Sequence, residues 1–599
     1  MSVIRYTLLI AAFCFTTTLL LAQSIILDES FEDWEGVPEA YSAQIPATEG
    51  ISSLKVVNDD RFLFVYVRFE EELVLQDGHE YRLLLDTDRR TSTGKTWQHQ
   101  GQTLGVDISI AFGERTVTLY DGSSAQEFST YMLGVVNAPT VSSKEFEVVL
   151  DMSKQVIGQS WIDTDGIGVA FVEYSSWQAR TNAVEIRMSA DTWEPAPFSF
   201  EKVDATDVRV MSYNVLFDNP FDGSIEPYFR RIFQAIQPDI ISIQEVYNHS
   251  TQELANLLEF WIPTDEDQRW YHSGHRAGLG DNHLVSRYPI EAAYVIDKDT
   301  NAYIVDVLGV RTLVLVSHPP CCGNDDGRRV AFNNMMEFVK QVKNGQGPIA
   351  FRLQTNSPII ITGDMNLVRN SDQQRTLLHG EFTSVNGNPA LEDFAPDWDG
   401  TSLEDAKSPN PYLPTTYTWH ANPRDGDPNL EEPGYYSPGR LDYIVYTGSV
   451  LKMKRGFTLH TLAIPSREFN AGGAAEGLYA VDTERASDHL PGVADFDYSP
   501  LLTSVESPES LLPSSINLAA YPNPFNPSTN VTFSLEASSS ITLEIVNILG
   551  QTLQSSKLGL MGKGVHKHQL SLEGYPSGMY YVVLRSGDKT QWIPVTMAS

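Results

Sequence analysis

Pro358-Ile-Ile-Ile-Thr-Gly-Asp-Met-Asn366 is a short apolar run that stops on a carboxylate and an amide. Three consecutive isoleucines favour extended backbone and need cover on both faces, which predicts a buried strand in a layered α/β unit. The polar residues follow at the carboxyl end, where open α/β sheets gather their ligands. Working outward, the pattern repeats. Arg311-Thr-Leu-Val-Leu-Val-Ser-His318 ends on an imidazole, Ile240-Ile-Ser-Ile-Gln-Glu245 on a carboxylate, and Val208-Arg-Val-Met-Ser-Tyr-Asn214 on an amide. Downstream stand Arg440-Leu-Asp442-Tyr443 and Ser487-Asp488-His489-Leu-Pro491. Amphipathic stretches at 228–235, 251–260 and 328–342 predict helices between the strands, so 208–498 alternates the two element types.

Each island alone has a plain reading. Glu245 could neighbour a helix N-terminus, Gly363-Asp364 could form a turn, and Asp488-His489 could cap a surface loop. Six in this order, each ending a Val/Ile/Leu run, supply one chemistry. Cleaving a phosphodiester places negative charge on the non-bridging and leaving oxygens. A cation held by hard oxygen ligands offsets that charge, amide and imidazole donors clasp the phosphate, and a carboxylate or imidazole activates water. Asn, Glu, His, Asp-x-Asn, Asp and Asp-His are those parts.

Ser-Tyr-Asn214, Gln-Glu245, Ser-His318, Gly-Asp364-Met-Asn366, Arg-Leu-Asp442-Tyr-Ile and Ser-Asp488-His489-Leu-Pro resemble the endonuclease/exonuclease/phosphatase (deoxyribonuclease-I-like) superfamily. The resemblance implies a four-layer α/β/β/α sandwich over 205–498 and a Mg²⁺ (or Mn²⁺) site. By this likeness Glu245 is the main metal ligand, with Asn214 and Asp488 completing or supporting the metal and phosphate site. Asp364 orients or deprotonates water, and Asn366 holds a phosphate oxygen. His318 and His489 flank the scissile phosphate, and Asp442 fixes an imidazole tautomer. Whether His489 or Asp364 takes the proton stays open. Ser317-His318-Pro-Pro-Cys-Cys322 departs from the usual Thr-His-Leu, which leaves the shape of that loop open.

The flanks differ in kind. Residues 1–22, with Arg5 before an apolar stretch, read as a secretory signal peptide. Residues 25–200 alternate apolar and polar residues in short runs between Gly, Asp, Asn and Ser turns, predicting a β-sandwich. Asp86-Thr-Asp88-Arg-Arg-Thr-Ser-Thr-Gly94 and Gly105-Val-Asp107 resemble family-nine-like carbohydrate-binding modules, which implies a glycan partner. Asp86 and Asp88 either help to hold Ca²⁺ or cap a turn. Residues 499–514 are a Ser/Pro/Leu linker. Tyr521-Pro-Asn-Pro-Phe-Asn-Pro-Ser528, Ile541 to Gln551 and Pro576-Ser-Gly578-Met-Tyr-Tyr581 resemble the C-terminal sorting domain of type IX secretion. That likeness implies an immunoglobulin-like sandwich over 515–599, read by the secretion machinery.

Composition narrows the partners. With net charge -35 the chain repels nucleic acid at long range. Arg287, Arg328, Arg329 and Arg440 are the local basic residues able to line a groove. Three cysteines exclude a disulfide framework. Cys321 and Cys322 form a vicinal disulfide, contact a metal or pack as thiols. Trp261, Trp270, Tyr271, Trp398, Tyr417 and Trp419 either meet substrate or a membrane interface at the rim or pack in the core.

These readings converge on a secreted or cell-surface, multidomain Mg²⁺-dependent phosphodiesterase. A nuclease-like enzyme comes first, and a phospholipid or sphingomyelin phosphodiesterase, or a phosphatase, second. From another class stands a non-catalytic glycan-binding adhesin. A glycosidase would need two carboxylates poised on a sugar, where the islands offer amides and imidazoles.

Overall fold

The computed structural model describes residues 25–598 other than 43–49, 123, 157–158, 163–165, 174–177, 180, 190, 265–268, 274–280, 422–429, 504–517, 536–537, 548–549 and 587–588. The signal segment and most of the linker lie outside the described residues. Among those described, no helix is long and apolar enough to cross a membrane.

The middle unit is numbered here in chain order. Its strands are Val208–Asn214 (β1), Ile240–Gln244 (β2), Tyr271–His272 (β3), His283–Ser286 (β4), Ile290–Val295 (β5) and Thr300–Val307 (β6). They continue with Val310–Ser317 (β7), Ile359–Asp364 (β8), Glu404–Asp405 (β9), Asp442–Tyr446 (β10), Lys452–Thr458 (β11) and Gly492–Asp497 (β12). Helices are Glu226–Ile236 (α1), Thr251–Trp261 (α2), Asp325–Lys343 (α3), Ser371–His379 (α4) and Asp482–Ala486 (α5). Two six-stranded sheets result, ordered β3-β4-β2-β1-β12-β11 and β5-β6-β7-β8-β10-β9. β1 runs parallel to β2 and β7 parallel to β8, so Asn214, Gln244, Ser317 and Asp364 end their strands in the same sense as their neighbours.

Side-chain alternation decides what each face covers. Val314 and Val316 of β7 meet Val208, Val210, Ile360, Ala494 and Phe496 in a core shared by the two sheets. Leu313 and Leu315, one position out of phase, pack under α3 with Phe332, Met335 and Val339. On the other sheet Met211 and Tyr213 pack with Phe229, Ile232 and Phe233 of α1 and with Leu254 and Leu258 of α2. Arg209 is buried in β1, where its guanidinium makes a two-pronged pair with Asp495 at 2.6 and 2.7 Å. Two carbonyls, of Phe200 and Ile236, accept from its Nη1, so each nitrogen of the buried guanidinium is hydrogen-bonded.

The stretch from Asp393 to Gly439 reads from composition as a surface excursion, and part of it is not. Thr415, Thr416, Tyr417, Thr418 and His420 are buried. They thread between the middle unit and the N-terminal sheets. A polar, Pro- and Gly-rich run is buried there because another module covers it.

That module has a five-stranded sheet built around Phe62–Leu73 and a seven-stranded sheet built around Tyr81–Asp86 and Gly166–Glu173. Val65, Val67, Leu83, Leu85, Phe146, Val148 and Phe171 form its core. A second cluster joins Leu27, Trp34, Tyr66 and Val136 of the module to Tyr417 and Leu490 of the middle unit. Arg440 is clasped between Asp405 at 2.8 Å and Glu29 at 2.7 Å. The C-terminal residues form sheets of three and four strands around Val531, Phe533, Leu543, Val582 and Leu584.

Candidate active site

Strand ends bring the expected residues to one cleft of about 1090 Å³, lined by Glu245, His318, Asp364, Asn366, Asp488 and His489. Asn214 lies beneath, fully buried, its amide nitrogen donating to Glu245 Oε1 and to Asp364 Oδ2, each at 3.0 Å. Its Oδ1 accepts from the Leu216 backbone N–H at 3.1 Å, so in this arrangement Asn214 aligns the two carboxylates.

Local backbone makes that convergence possible. Gly363 has φ of 145°, and a Cβ there would sit 1.9 Å from the Ser317 carbonyl oxygen. Only glycine lets β7 and β8 close at their ends and bring His318 beside Asp364. Glu245 at φ 66° and Asn366 at φ 48° are both left-handed, as are Leu216, Phe217 and Asp218 in succession. Non-glycine residues held there cost on the order of 1–3 kcal/mol each, which the surrounding bonds must offset. One such bond is Phe217 N–H to Glu245 Oε2 at 3.1 Å.

Asp364 is the centre. His318 Nε2 lies 3.5 Å and His489 Nε2 lies 3.6 Å from its Oδ2. Behind each ring stands a second carboxylate: Asp281 Oδ2 at 2.5 Å from His318 Nδ1, and Asp442 Oδ2 at 2.7 Å from His489 Nδ1. Burial pulls the His318 imidazole down, but the Asp281 hydrogen bond and the charges of Asp364, Asp281 and Glu245 prevail and raise it to about 9. Burial likewise opposes charge on His489, and Asp442, Asp364 and Asp488 hold it well above the ordinary imidazole value. Burial pushes the Asp364 carboxyl up, against the pull of His489 and His318. Two imidazoles that favour protonation thus face one reluctant carboxylate, a pocket disposed to hold an anion.

Asn366 donates its side-chain N–H to the Pro319 carbonyl at 3.0 Å, and its backbone N–H to Asp364 Oδ1. Asp488 Oδ2 accepts from Trp419 Nε1 at 3.0 Å. The carboxylates of Glu245 and Asp488 on one cleft are hard-oxygen donors of the kind that suits Mg²⁺ or Mn²⁺.

Several expectations require correction. The arginines read as groove-lining are used elsewhere. Arg328 is buried against Gln373 and the carbonyls of Pro320 and Cys322, Arg329 pairs with Asp372, and Arg440 bridges Glu29 and Asp405. Arg287 lies over Trp270. Among the described residues, Lys298 and Arg369 are the cations lining the cleft. Trp261 and Trp270 belong to the core, while Trp419 reaches the cleft. Cys321 and Cys322 are joined as a vicinal disulfide at its rim. Sequence reasoning missed Asp281, whose only signal is a carboxylate just upstream of a strand. It also missed Val74, Gln76, Asp77 and Thr140 of the N-terminal module, which wall the cleft on one side. Thr140 Oγ1 donates to the Leu367 carbonyl at 2.6 Å, and Arg369 pairs with Asp77 at 3.0 Å.

Two acid-braced imidazoles and the carboxylates of Glu245, Asp364 and Asp488 thus meet on one cleft at the ends of layered strands. Residues 211–489 match the endonuclease/exonuclease/phosphatase family model, a family of metal-dependent hydrolases of phosphate ester bonds. Residues 519–594 match the secretion system C-terminal sorting domain, which marks the chain for export. Similar solved structures include TDP2 from Caenorhabditis elegans (15% identity, 49% of this chain and 76% of that one, TM-score 0.30). Beta toxin from Staphylococcus aureus is similar at 15% identity, over 48% of this chain and 99% of that one, TM-score 0.30. An AP endonuclease from Archaeoglobus fulgidus gives 12%, 48%, 99% and 0.28. No curated protein matches the chain.

Proposed function

We propose that this chain is an exported, Mg²⁺-dependent phosphodiesterase in which water attacks phosphorus in line with the leaving oxygen. The observation that carries the reading is Asp364 Oδ2 lying between the Nε2 atoms of His318 and His489. Glu245, oriented by Asn214, and Asp488 would hold the cation, and the bound ion would supply charge neutralisation at the phosphate. His318 and His489 donate to the non-bridging or leaving oxygens, Asp281 and Asp442 keep the rings oriented, and Asp364 takes up the proton of the attacking water. Asn366 steadies Asp364 through its backbone N–H.

A nuclease-like substrate comes first, because Phe217, Tyr247, Tyr436 and Trp419 line the cleft and can stack on bases. A phospholipid diester is the second reading, favoured by the few cations in the cleft and by the outward-facing Phe217 at 69% exposure. Assaying the mature chain on plasmid DNA, RNA, sphingomyelin and bis-nitrophenyl phosphate, with and without EDTA, tests both. Hydrolysis untouched by EDTA, or none on any substrate, would overturn the assignment.

The finer architecture is proposed on the same footing. Three cores, one between the sheets and one outside each, support a four-layer α/β/β/α middle domain over 205–498. The remaining division is a signal peptide at 1–22, a glycan-binding sandwich at 25–200, a linker at 499–514 and a sorting sandwich at 515–599. Ca²⁺ in the N-terminal module is supported by Asp86, Asp88 and Asp107 presenting oxygens within 4.8 Å of one another. Asp86 Oδ1 is buried there without a hydrogen-bond partner.

A further inference from the structure

Behind the cleft, three residues that the phosphodiesterase reading leaves unused meet in a second constellation. His420, His460 and Glu484 each offer a ligand atom, and these atoms lie within 4.8 Å of one another. The residues come from separate segments. His420 follows Trp419, whose backbone bridges to both Gly439 and His489. His460 follows β11, and Glu484 sits in α5, just ahead of Asp488 and His489.

His420 is 5% exposed and its Nε2 is buried without a hydrogen-bond partner. Its Nδ1 faces the Ala421 carbonyl at 3.2 Å, so the ring proton belongs there and a bare lone pair is left on Nε2. That nitrogen lies 3.6 Å from Glu484 Oε1, with His460 Nε2 at 3.4 Å from the same oxygen. Both distances are long for a charge-assisted N–H to carboxylate bond, which closes to about 2.7–2.9 Å. They fit the edge of a tetrahedron, about 3.3 Å for metal–ligand bonds of about 2.0–2.1 Å. Tyr417 Oη lies 2.9 Å from His460 Nδ1, the outer partner that would fix the metal-binding tautomer.

We infer that His420, His460 and Glu484 form a binding site for a borderline transition-metal dication, zinc by its mix of imidazole and carboxylate donors, separate from the catalytic cation. A dication there satisfies the orphaned nitrogen and ties the Tyr417–His420 segment to the helix that leads into Asp488 and His489. The site is a clasp on the active-site loops. Its outer side touches the N-terminal module, where the Ala421 N–H donates to Tyr131 Oη at 2.8 Å.

The test is metal content. The mature chain is loaded with zinc, passed through gel filtration in weak chelator and analysed by elemental analysis, with Co²⁺ as a spectroscopic substitute. Stoichiometric zinc should survive in wild type and in Glu245→Gln, which alters only the proposed catalytic ligand. It should be lost in His420→Ala and in Glu484→Gln, and the intense visible bands of tetrahedral Co²⁺ should vanish with it. Glu484→Gln is near-isosteric on a partly exposed side chain, and an unchanged circular dichroism spectrum confirms that it folds. Substoichiometric zinc in wild type, or retention unchanged in Glu484→Gln, overturns the site while leaving the phosphodiesterase reading intact.

Discussion

His489 Nδ1 stands 2.7 Å from Asp442 Oδ2, and the two residues are 47 positions apart in sequence. Asp442 opens β10 while His489 precedes β12, so the pair crosses from one sheet to the other. The bond fixes the ring with Nε2 turned into the cleft toward Asp364, and the Asp442 charge favours the imidazolium. A mirror arrangement holds on the opposite wall, where Asp281 does the same for His318. The site is a pair of braced acids around one carboxylate.

Substitution of the two partners should separate their roles. His489→Ala should lower kcat on bis-nitrophenyl phosphate by about 10²–10⁴-fold, the range for losing a positioned proton donor or acceptor. Asp442→Asn keeps the ring but not its charge partner, and should cost about 10–100-fold with little change in KM. Steady-state kinetics check both. Equal activity of His489→Ala and wild type would remove the imidazole from the mechanism.

Glu245 should govern cation affinity. Glu245→Gln keeps an acceptor for Asn214 but removes the charge, and should raise the Mg²⁺ needed for half-maximal rate by at least about 10–100-fold. Titrating Mg²⁺ and Mn²⁺ into the EDTA-treated enzyme measures this. An unchanged midpoint would assign the cation elsewhere.

Gly363 should tolerate no side chain. Its φ of 145° and the 1.9 Å approach of a built Cβ to the Ser317 oxygen predict that Gly363→Ala costs on the order of 3 kcal/mol or more. Chemical denaturation reads the loss. A variant as stable as wild type would show that the β7–β8 ends part without penalty.

Glu147 supplies a pH test in the N-terminal module. Burial raises its carboxyl well above 4.5, against the hydrogen bond from Trp34 Nε1, with Asp33 and Asp28 adding to the rise. The folded state therefore holds this proton more tightly than the unfolded chain. Its stabilising contribution is complete below the unfolded pKa and is lost as pH climbs from 4.5 through the raised folded value. The wild-type minus Glu147→Gln difference in Tm should therefore fall as pH rises above 4.5. A flat difference in differential scanning fluorimetry would refute the assignment.

Much of the middle unit was legible because its strands carry their own signal. Val208–Asn214 coincides with the predicted strand, and the helix predicted at 251–260 is observed at Thr251–Trp261, started by the Ser250–Glu253 capping box. The helix predicted at 328–342 starts earlier, at Asp325, because Asn324 caps it. What stayed hidden depends on contacts between distant segments. No periodicity tells that Arg328 is spent on the Pro320 and Cys322 carbonyls. Nor does a motif mark Asp281, which matters only because His318 lands beside it.

By itself the order of residues determined the strands, their polar ends and the chemical kind of each end, since alternation and local propensity act over a few positions. Tertiary structure alone decided which ends meet. It set Asp364 between two imidazoles, made the N-terminal module a wall of the cleft, and gathered His420, His460 and Glu484 behind it. Those outcomes rest on how sheets and modules bury one another, a property of whole surfaces that no short window of sequence contains.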